Sequence, residues 1–176
     1  LPVVTGSVAI TVVWKWILNP YNGILNQVTN NVGFDWLGNQ HTALWFIILI
    51  LFTTSIGQPI VLYVAALGNV DQSLIEAAQV DGATKLQVFW KIKWPQIMPT
   101  TLYVLVITTI NSFQCFALIQ LLTKGGPLNS TMTIMYQVYD TAYRLNDLGY
   151  ANAIGVVLAI IIATFSAIQF KVAKTD

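Results

Sequence analysis

The chain has 176 residues, of which 56% are hydrophobic and 9% are charged, and its formal net charge at pH 7 is +1. Soluble domains carry about 25% charged residues, so this composition argues against a soluble protein. The net charge gives no sign of a nucleic-acid partner, and the one cysteine excludes a disulfide within these residues.

Long uncharged apolar segments alternate with polar ones. An apolar stretch of about 20 residues can cross a bilayer as a helix, and residues 43–67, 97–122 and 150–170 meet this length. A fourth candidate, residues 1–18, contains Lys15. Because the sequence starts inside this apolar run without an initiator methionine, we expect the C-terminal part of a longer protein. The predicted fold is all-α, with four transmembrane helices in a single domain over residues 1–176.

Turn-forming residues and basic residues give the order and the orientation of the spans. Residues 19–23 end the first span and residues 123–127 end the third, each with a proline and a glycine. If the polar segment at residues 68–94 is cytoplasmic, the inside holds more basic residues than the outside, as the positive-inside rule requires. The inside set is Lys85, Lys91, Lys93, Lys171 and Lys174, and the outside set is Lys15, Lys124 and Arg144.

The cytoplasmic segment has the signals of two short helices. Ser73-Leu74-Ile75-Glu76 and Thr84-Lys85-Leu86-Gln87 each fit a capping box at a helix start. Asp81-Gly82 predicts the end of the first helix, since glycine tolerates the left-handed conformation. We expect the second helix to end at Trp94-Pro95, because a residue before proline disfavours the α conformation. In this interpretation the Glu76 carboxylate serves as a cap.

The two short helices also present surfaces to a partner. Ala77 and Ala78 permit a close approach on the first helix. Leu86, Phe89 and Trp90 form an apolar set on the second, suited either to an interface or to the membrane surface. From the residues alone, a capped connector and a docking element remain open alternatives.

This segment also carries a specific pattern, in which Glu76-Ala77-Ala78 is followed by Asp81-Gly82-Ala83 and then by Ile92 and Pro95. It resembles the cytoplasmic "EAA" loop of permease subunits of bacterial ABC importers. Residues 120–127 and 149–153 resemble further parts of sugar-uptake permeases related to the larger membrane subunit of the maltose transporter. The resemblance implies the type I importer permease fold, with a helix–turn–helix coupling loop over residues 71–95.

The resemblance further implies a multi-pass protein of the bacterial cytoplasmic membrane and a set of partners. An external solute-binding protein delivers a sugar to the outer segments, and a second permease subunit completes the path as a heterodimer. Two cytoplasmic ATPase subunits, which bind ATP and Mg²⁺, grip the coupling loop. This chain has no glycine-rich phosphate loop, so we expect neither enzyme activity nor a bound cofactor or metal. The implied coupling residues are Glu76, Ala77, Ala78, Asp81, Gly82, Ala83 and Pro95.

Neutral polar side chains within the spans are candidates for the substrate path, because polar groups in a membrane are costly. Hydroxyls and amides suit sugar hydroxyls, which both donate and accept hydrogen bonds. The alternative is that they bond neighbouring helices or their own backbone. In the last span, small residues at every fourth position from Ala151 to Ala167 predict close helix packing. The substrate-path candidates are Thr54, Ser55, Thr108, Asn111, Ser112, Gln114 and Cys115.

Three alternatives to a sugar importer differ in what they require. An importer for a polyol or a glycerol phosphate has the same architecture, but a phosphate needs basic residues along the path. An ion-coupled secondary transporter usually places carboxylates at mid-membrane, and these spans contain none. An intramembrane enzyme needs a nucleophile–base pair or metal ligands, and the one histidine, His41, lies at a predicted outer edge.

Overall fold

The structure is a computed structural model that describes residues 6–173. Within this range every regular element is helical, which confirms the predicted all-α architecture. The ten α-helices described are α1 (Ser7–Ile17), α2 (Ile24–Val28), α3 (Ala43–Ser55), α4 (Gly57–Gly68), α5 (Gln72–Val80), α6 (Lys85–Val88), α7 (Trp94–Phe113), α8 (Ala117–Leu122), α9 (Ile134–Tyr139) and α10 (Leu148–Ala173), with π-helical turns at Phe89–Lys93 and Asp140–Arg144.

Three helical stretches of the described residues are long and apolar enough to cross a membrane: Ala43–Gly68, Lys85–Leu122 and Leu148–Val172. Lys174 and the beginning of the first expected span lie outside the described residues. The described part of that span contains the shorter apolar helix Val8–Ile17. The helices α3 and α4 run into each other through Ile56, which has helical φ and ψ of −66° and −26°.

The helix after the turn at Gly82 does not end before Pro95, contrary to the sequence prediction. Trp94 has helical φ and ψ of −58° and −48°, and its N–H bonds the carbonyl of Phe89 across a π-helical turn. Pro95 therefore follows the π-turn directly, and local π-helical adjustment lets a helix accommodate a proline. As a result, the short helix α6 continues directly into the membrane-spanning helix α7.

The third predicted span is interrupted, which the sequence analysis did not anticipate. The helix α7 ends at Phe113, and α8 begins only at Ala117. Unwound backbone at membrane depth needs hydrogen-bond partners inside the protein. The hydroxyl of Thr133 supplies one, because it donates to the carbonyl of Cys115 at 3.0 Å. The outer segment before α9 thus folds back onto the break.

Two buried apolar clusters hold α1, α3, α8 and α9 together. Leu18, Ile50 and Leu118 form one cluster between α1, α3 and α8. In the other, Ile119 packs with Ile47 and with Tyr136, which is 1% exposed. These contacts join the first two helical stretches to α8 and α9, so the residues on both sides of the break are fixed by packing.

The segment after α1 is organised around a buried asparagine. The side-chain amide of Asn26 donates to the carbonyls of Pro20 at 2.6 Å and Phe34 at 2.8 Å. Its oxygen accepts a hydrogen bond from the Trp36 indole. Gly23 completes the turn, since a Cβ there would lie 2.4 Å from the carbonyl oxygen of Asn19. The polar sequence at residues 19–40 is therefore an ordered outer cap.

The small-residue stripe of α10 does not pack as a unit within the described chain. Ala151 is buried, whereas Ala159, Ala163 and Ala167 are exposed. A four-residue spacing advances the stripe by about 40° per step around an α-helix. Its later members therefore rotate away from the face that packs on α7 and α9. The predicted close packing holds for the beginning of the stripe and is wrong for the rest within this chain.

Candidate functional site

The helix α5 is capped by Asp71. Its carboxylate accepts hydrogen bonds from the Ser73 backbone N–H at 2.9 Å and the Ser73 hydroxyl at 2.8 Å. These bonds hold the pKa of Asp71 below its ordinary value. The predicted capping box between Ser73 and Glu76 is therefore wrong, because a carboxylate two residues earlier accepts the N–H.

The turn between α5 and α6 has the predicted chemistry. Gly82 adopts a φ of +81°, its N–H bonds the Gln79 carbonyl at 3.0 Å, and the N–H of Ala83 bonds the Ala78 carbonyl at 2.9 Å. This pair of bonds is a Schellman motif. The second capping box is confirmed, since Thr84 and Gln87 each bond the other's backbone N–H.

The corrected capping pattern leaves the Glu76 carboxylate free. Glu76 is exposed, and its side chain has no hydrogen-bond or ion-pair partner among the residues that the structure describes. Ala77 beside it is exposed and Ala78 is half-buried. A carboxylate next to methyl side chains is accessible to another protein, and within the described chain it has no structural role.

A notch of about 430 Å³ lies between the two short helices. Asp81, Gly82 and Ala83 form one wall, and the side chains of Gln87 and Lys91 reach it from α6 and the π-turn. Pro95 does not line the notch but stands at the start of α7. Of the predicted coupling residues, the structure brings Ala78, Asp81, Gly82 and Ala83 together at this notch.

The short helices are rigidly joined to two long ones. Ile75 of α5 and Val88 of α6 are buried against Val70 and against Ile97 of α7. Tyr63 and Ala66 of α4 pack on the same cluster. Because these side chains form a closed apolar core, the helix–turn–helix packs as one body with the adjoining ends of α4 and α7.

A groove of about 650 Å³ lies on the membrane-spanning part, between α1, the joint of α3 with α4, and α7. None of its lining residues in the described chain is charged. Its polar lining consists of five predicted residues and two that were missed, Gln58 and Tyr103. Both missed residues were visible as polar groups inside apolar spans. The five predicted residues are Thr54, Ser55, Thr108, Asn111 and Ser112.

The break after α7 separates the remaining candidates from the groove. Cys115 does not share a helical face with Thr108 and Ser112, as an unbroken helix would require. It packs against both apolar clusters that join α1, α3, α8 and α9. Gln114 is exposed at the break itself. The sequence spacing misplaced Cys115 because nothing in residues 97–122 announced the end of α7.

The hydroxyl groups of the groove are partly used by their own helices. Thr108 donates to the Val104 carbonyl at 2.7 Å and Ser112 donates to the Thr108 carbonyl at 2.8 Å. Their oxygens keep the capacity to accept. The amides of Asn111 and Gln58 have no partner among residues 6–173, so they can donate to a ligand. The groove thus offers neutral donors and acceptors.

The chain is similar to several permease proteins of bacterial transport systems. The chain is 34% identical over 180 residues to the probable ABC transporter permease protein YurN of Bacillus subtilis (strain 168), covering 99% of this chain and 62% of YurN. It is 32% identical to the multiple sugar-binding transport system permease protein MsmF of Streptococcus mutans, covering 98% of this chain and 60% of MsmF. It is 30% identical to the sn-glycerol-3-phosphate transport system permease protein UgpA of Escherichia coli O157:H7, covering 97% and 59%.

The fold has a counterpart among solved structures. A bacterial alginate ABC transporter, crystallised in complex with an alginate pentasaccharide-bound periplasmic protein, contains a chain with a TM-score of 0.81 and 25% identity, covering 96% of this chain and 60% of that one. The present chain therefore spans about 60% of the length of the proteins that it matches. A family described as the binding-protein-dependent transport system inner membrane component matches residues 1–174, and the three apolar helices of spanning length agree with that location. The chain belongs to this family of inner-membrane permease components.

Proposed function

We propose that the chain is part of a membrane-spanning permease subunit in an ATP-driven sugar importer. The observation that carries the proposal is the free Glu76 carboxylate on a helix–turn–helix that shares one apolar core with α4 and α7. The same two helices line the neutral polar groove. Force applied at the helix–turn–helix therefore reaches the groove through rigid elements.

The proposed cycle has two cytoplasmic ATPase subunits that bind ATP and Mg²⁺ and grip the coupling loop at residues 71–95. Glu76 and the wall formed by Ala77, Ala78, Asp81, Gly82 and Ala83 make the contact, and Pro95 lies where the loop enters α7. Closure of the ATPase pair moves α4 and α7 together and opens the path outward. Hydrolysis on the ATPase resets the path, and this chain contributes no hydrolytic group.

The neutral polar lining of the groove fits an uncharged substrate rich in hydroxyl groups. Its lining has no cation to hold a phosphate, so a sugar fits the described residues better than a glycerol phosphate. Relatives of both kinds exist, since MsmF is named for multiple sugars and UgpA for glycerol 3-phosphate. Gln114, at the unwound break, stays in the proposed path, because transporters bind substrates at discontinuous helices.

Two further partners complete the proposed assembly. A second permease subunit, forming a heterodimer, closes the groove, whose polar residues Ser55, Asn111 and Ser112 are exposed in this chain alone. An external binding protein delivers the sugar to the outer segments at residues 19–40 and 124–147. The periplasmic protein in the crystallised alginate transporter supports this part.

The test is Glu76→Gln in the complete transporter, reconstituted in lipid vesicles with its binding protein. We expect ATP-dependent sugar uptake and ATPase association to fall at least tenfold, while the membrane subunits stay assembled. Leu74→Ala is the matched control, because Leu74 is an exposed side chain elsewhere on α5. If the Glu76→Gln variant takes up sugar at the full rate, the loop is only a connector between helices. Uptake driven by an ion gradient without ATP would support a secondary transporter instead.

A further inference from the structure

The outer face of the second cytoplasmic helix is apolar, aromatic and exposed. Leu86 is 71% exposed, Trp90 is 56% exposed and Phe89 is 36% exposed. Leu86, Phe89 and Trp90 follow i, i+3 and i+4 spacing, which places them on one side of a helix. Val88 on the other side is buried in the core shared with α7. This aromatic face therefore points away from the body of the protein.

The π-helical turn enlarges the aromatic face. In an α-helix, residues five apart lie on different sides, whereas a π-turn stacks residues i and i+5. Trp94 accordingly joins Phe89 at a ring separation of 6.3 Å and Trp90 at 5.5 Å. Phe89 and Trp90 lie edge to face at 5.3 Å. Three aromatic rings thus form one patch where the cytoplasmic helix becomes the spanning helix, and the half-buried Trp94 joins this patch to the core around Val88.

The length of this helix places the patch at the membrane surface. The continuous helical path from Lys85 to Phe113 rises about 43 Å at about 1.5 Å per residue, whereas the hydrocarbon core is about 30 Å thick. At the far end the chain continues through the break into the apolar helix α8, so the excess length falls at the Lys85 end. Lys85–Lys93 consequently lies at the depth of the lipid headgroups.

The charged residues of the helical segment that carries the patch, Lys85–Lys93, are all basic. Lys85, Lys91 and Lys93 have no ion-pair partner in the described chain, and no acidic residue occurs between Gly82 and Tyr139. Tryptophan prefers the membrane–water interface, and lysines close to the cytoplasmic surface are attracted to anionic lipids. The notch with Asp81 and Gly82 opens on a different side of the helix, formed by Gln87 and Lys91.

We propose that Leu86, Phe89, Trp90 and Trp94 are seated in the headgroup layer of the cytoplasmic leaflet, with Lys85 and Lys93 binding acidic phospholipids. This lipid contact fixes the height and tilt of the coupling element while the notch side stays free for a protein partner. The side of the membrane rests on the orientation given under the proposed function.

The test uses spin labels in the complete transporter, made free of other cysteines by changes that include Cys115→Ser and reconstituted in vesicles. Trp90→Cys and Leu86→Cys carry the label on the patch, and Val80→Cys, 87% exposed on α5, carries it in the control position. At positions 90 and 86 we expect high accessibility to oxygen and low accessibility to an aqueous nickel chelate, unchanged by the ATPase. At position 80 we expect the reverse, with protection when the ATPase binds.

The second part of the test varies the lipid composition of the vesicles. In phosphatidylcholine vesicles containing one quarter phosphatidylglycerol, we expect the label at position 90 to lie deeper than in pure phosphatidylcholine. The change Lys85→Gln with Lys93→Gln should abolish this difference. Protection of position 90 from both reagents on ATPase binding would make the patch a protein interface and overturn the proposal. Equal aqueous accessibility at positions 80 and 90, or no effect of the acidic lipid, would overturn it as well. Loss of ATPase protection at position 80 alone would contradict the proposed function instead.

Discussion

The side-chain amide of Gln169 donates a 2.8 Å hydrogen bond to the hydroxyl of Thr109, which joins α10 to α7 inside the membrane-spanning part. The Thr109 hydroxyl gives its own hydrogen to the Leu105 carbonyl at 2.8 Å, so its oxygen is the acceptor for Gln169. The neighbouring residue Thr108 faces the groove. The bond thus joins α10 to one side of α7, while another side of α7 lines the proposed path.

Breaking this bond should destabilise the transporter measurably. Hydrogen bonds between membrane helices contribute about 0.6 kcal/mol on average and up to about 1.7 kcal/mol. We therefore expect Gln169→Leu and Thr109→Val to show a coupling free energy of about 1 kcal/mol in a double-mutant cycle of unfolding. Thr164→Val is the control, because Thr164 bonds only its own helix at the Ile160 carbonyl. Additive effects would show that the two side chains do not interact.

Replacing the free amide of Asn111, one of two in the groove, should weaken the uptake of sugar. Asn111→Leu removes donors that no other described residue uses, and a ligand group left unpaired costs about 1–3 kcal/mol. We expect the KM for sugar uptake to rise about tenfold or more. Thr53→Val is the control, because the Thr53 hydroxyl bonds the Ile50 carbonyl and does not line the groove. Similar KM values for the two variants would place the path elsewhere.

A side chain at Gly82 should open the turn between α5 and α6. Nothing lies within 4 Å of a Cβ at this position, but φ is +81°, and the left-handed conformation costs a non-glycine residue about 1–2 kcal/mol. For Gly82→Ala we expect hydrogen exchange at the amides of Gly82-Ala83 to speed up about tenfold. Gly68→Ala has equal space and no positive φ, so it should leave this exchange unchanged. A protected turn in Gly82→Ala would contradict the strain argument.

The cap at Asp71 makes the start of α5 sensitive to acid. Hydrogen bonds from Ser73 lower the pKa of Asp71 in the folded state, so its contribution to stability is fully present above the unfolded pKa. It is lost as the pH falls through the folded pKa. We expect the exchange protection of the Ser73 amide to decrease in this acidic range. Asp71→Asn keeps an acceptor without the titration, so its protection should not change there.

The outer cap should depend on the donors of Asn26. Asn26→Asp is nearly isosteric but loses both hydrogen bonds to the carbonyls of Pro20 and Phe34 and buries an acid. Because buried unsatisfied groups cost about 1–3 kcal/mol each, we expect a loss of at least about 2 kcal/mol in the unfolding free energy of the complex. Asn22→Asp, at an exposed position of the same turn, should change it little. Equal effects would show that the burial of Asn26 is not what matters.

Local patterns in the sequence were sufficient for much of the architecture. Apolar length predicted the long helices, because the bilayer fixes how many residues a span needs. The turn at Gly82 and the capping box at Thr84 and Gln87 followed from interactions within a few residues, and the structure has both. Five groove residues were predicted because a polar side chain in an apolar span stands out in the sequence itself.

The remaining features depend on contacts between distant parts of the chain. The break at Cys115 is stabilised by Thr133, eighteen positions further on, and no local signal marks it. The continuation of α6 through Pro95 follows from the π-turn and the core around Val88 and Ile97, which outweigh the conformational preference of a residue before proline. Interactions over a few residues thus identify the long helical segments and the family, but not the short helices α2 and α9, which lie in polar segments. Contacts between distant residues set where the helices break, leave Glu76 free and bring the polar groups into one groove, because long-range packing can override local preferences of about 1 kcal/mol.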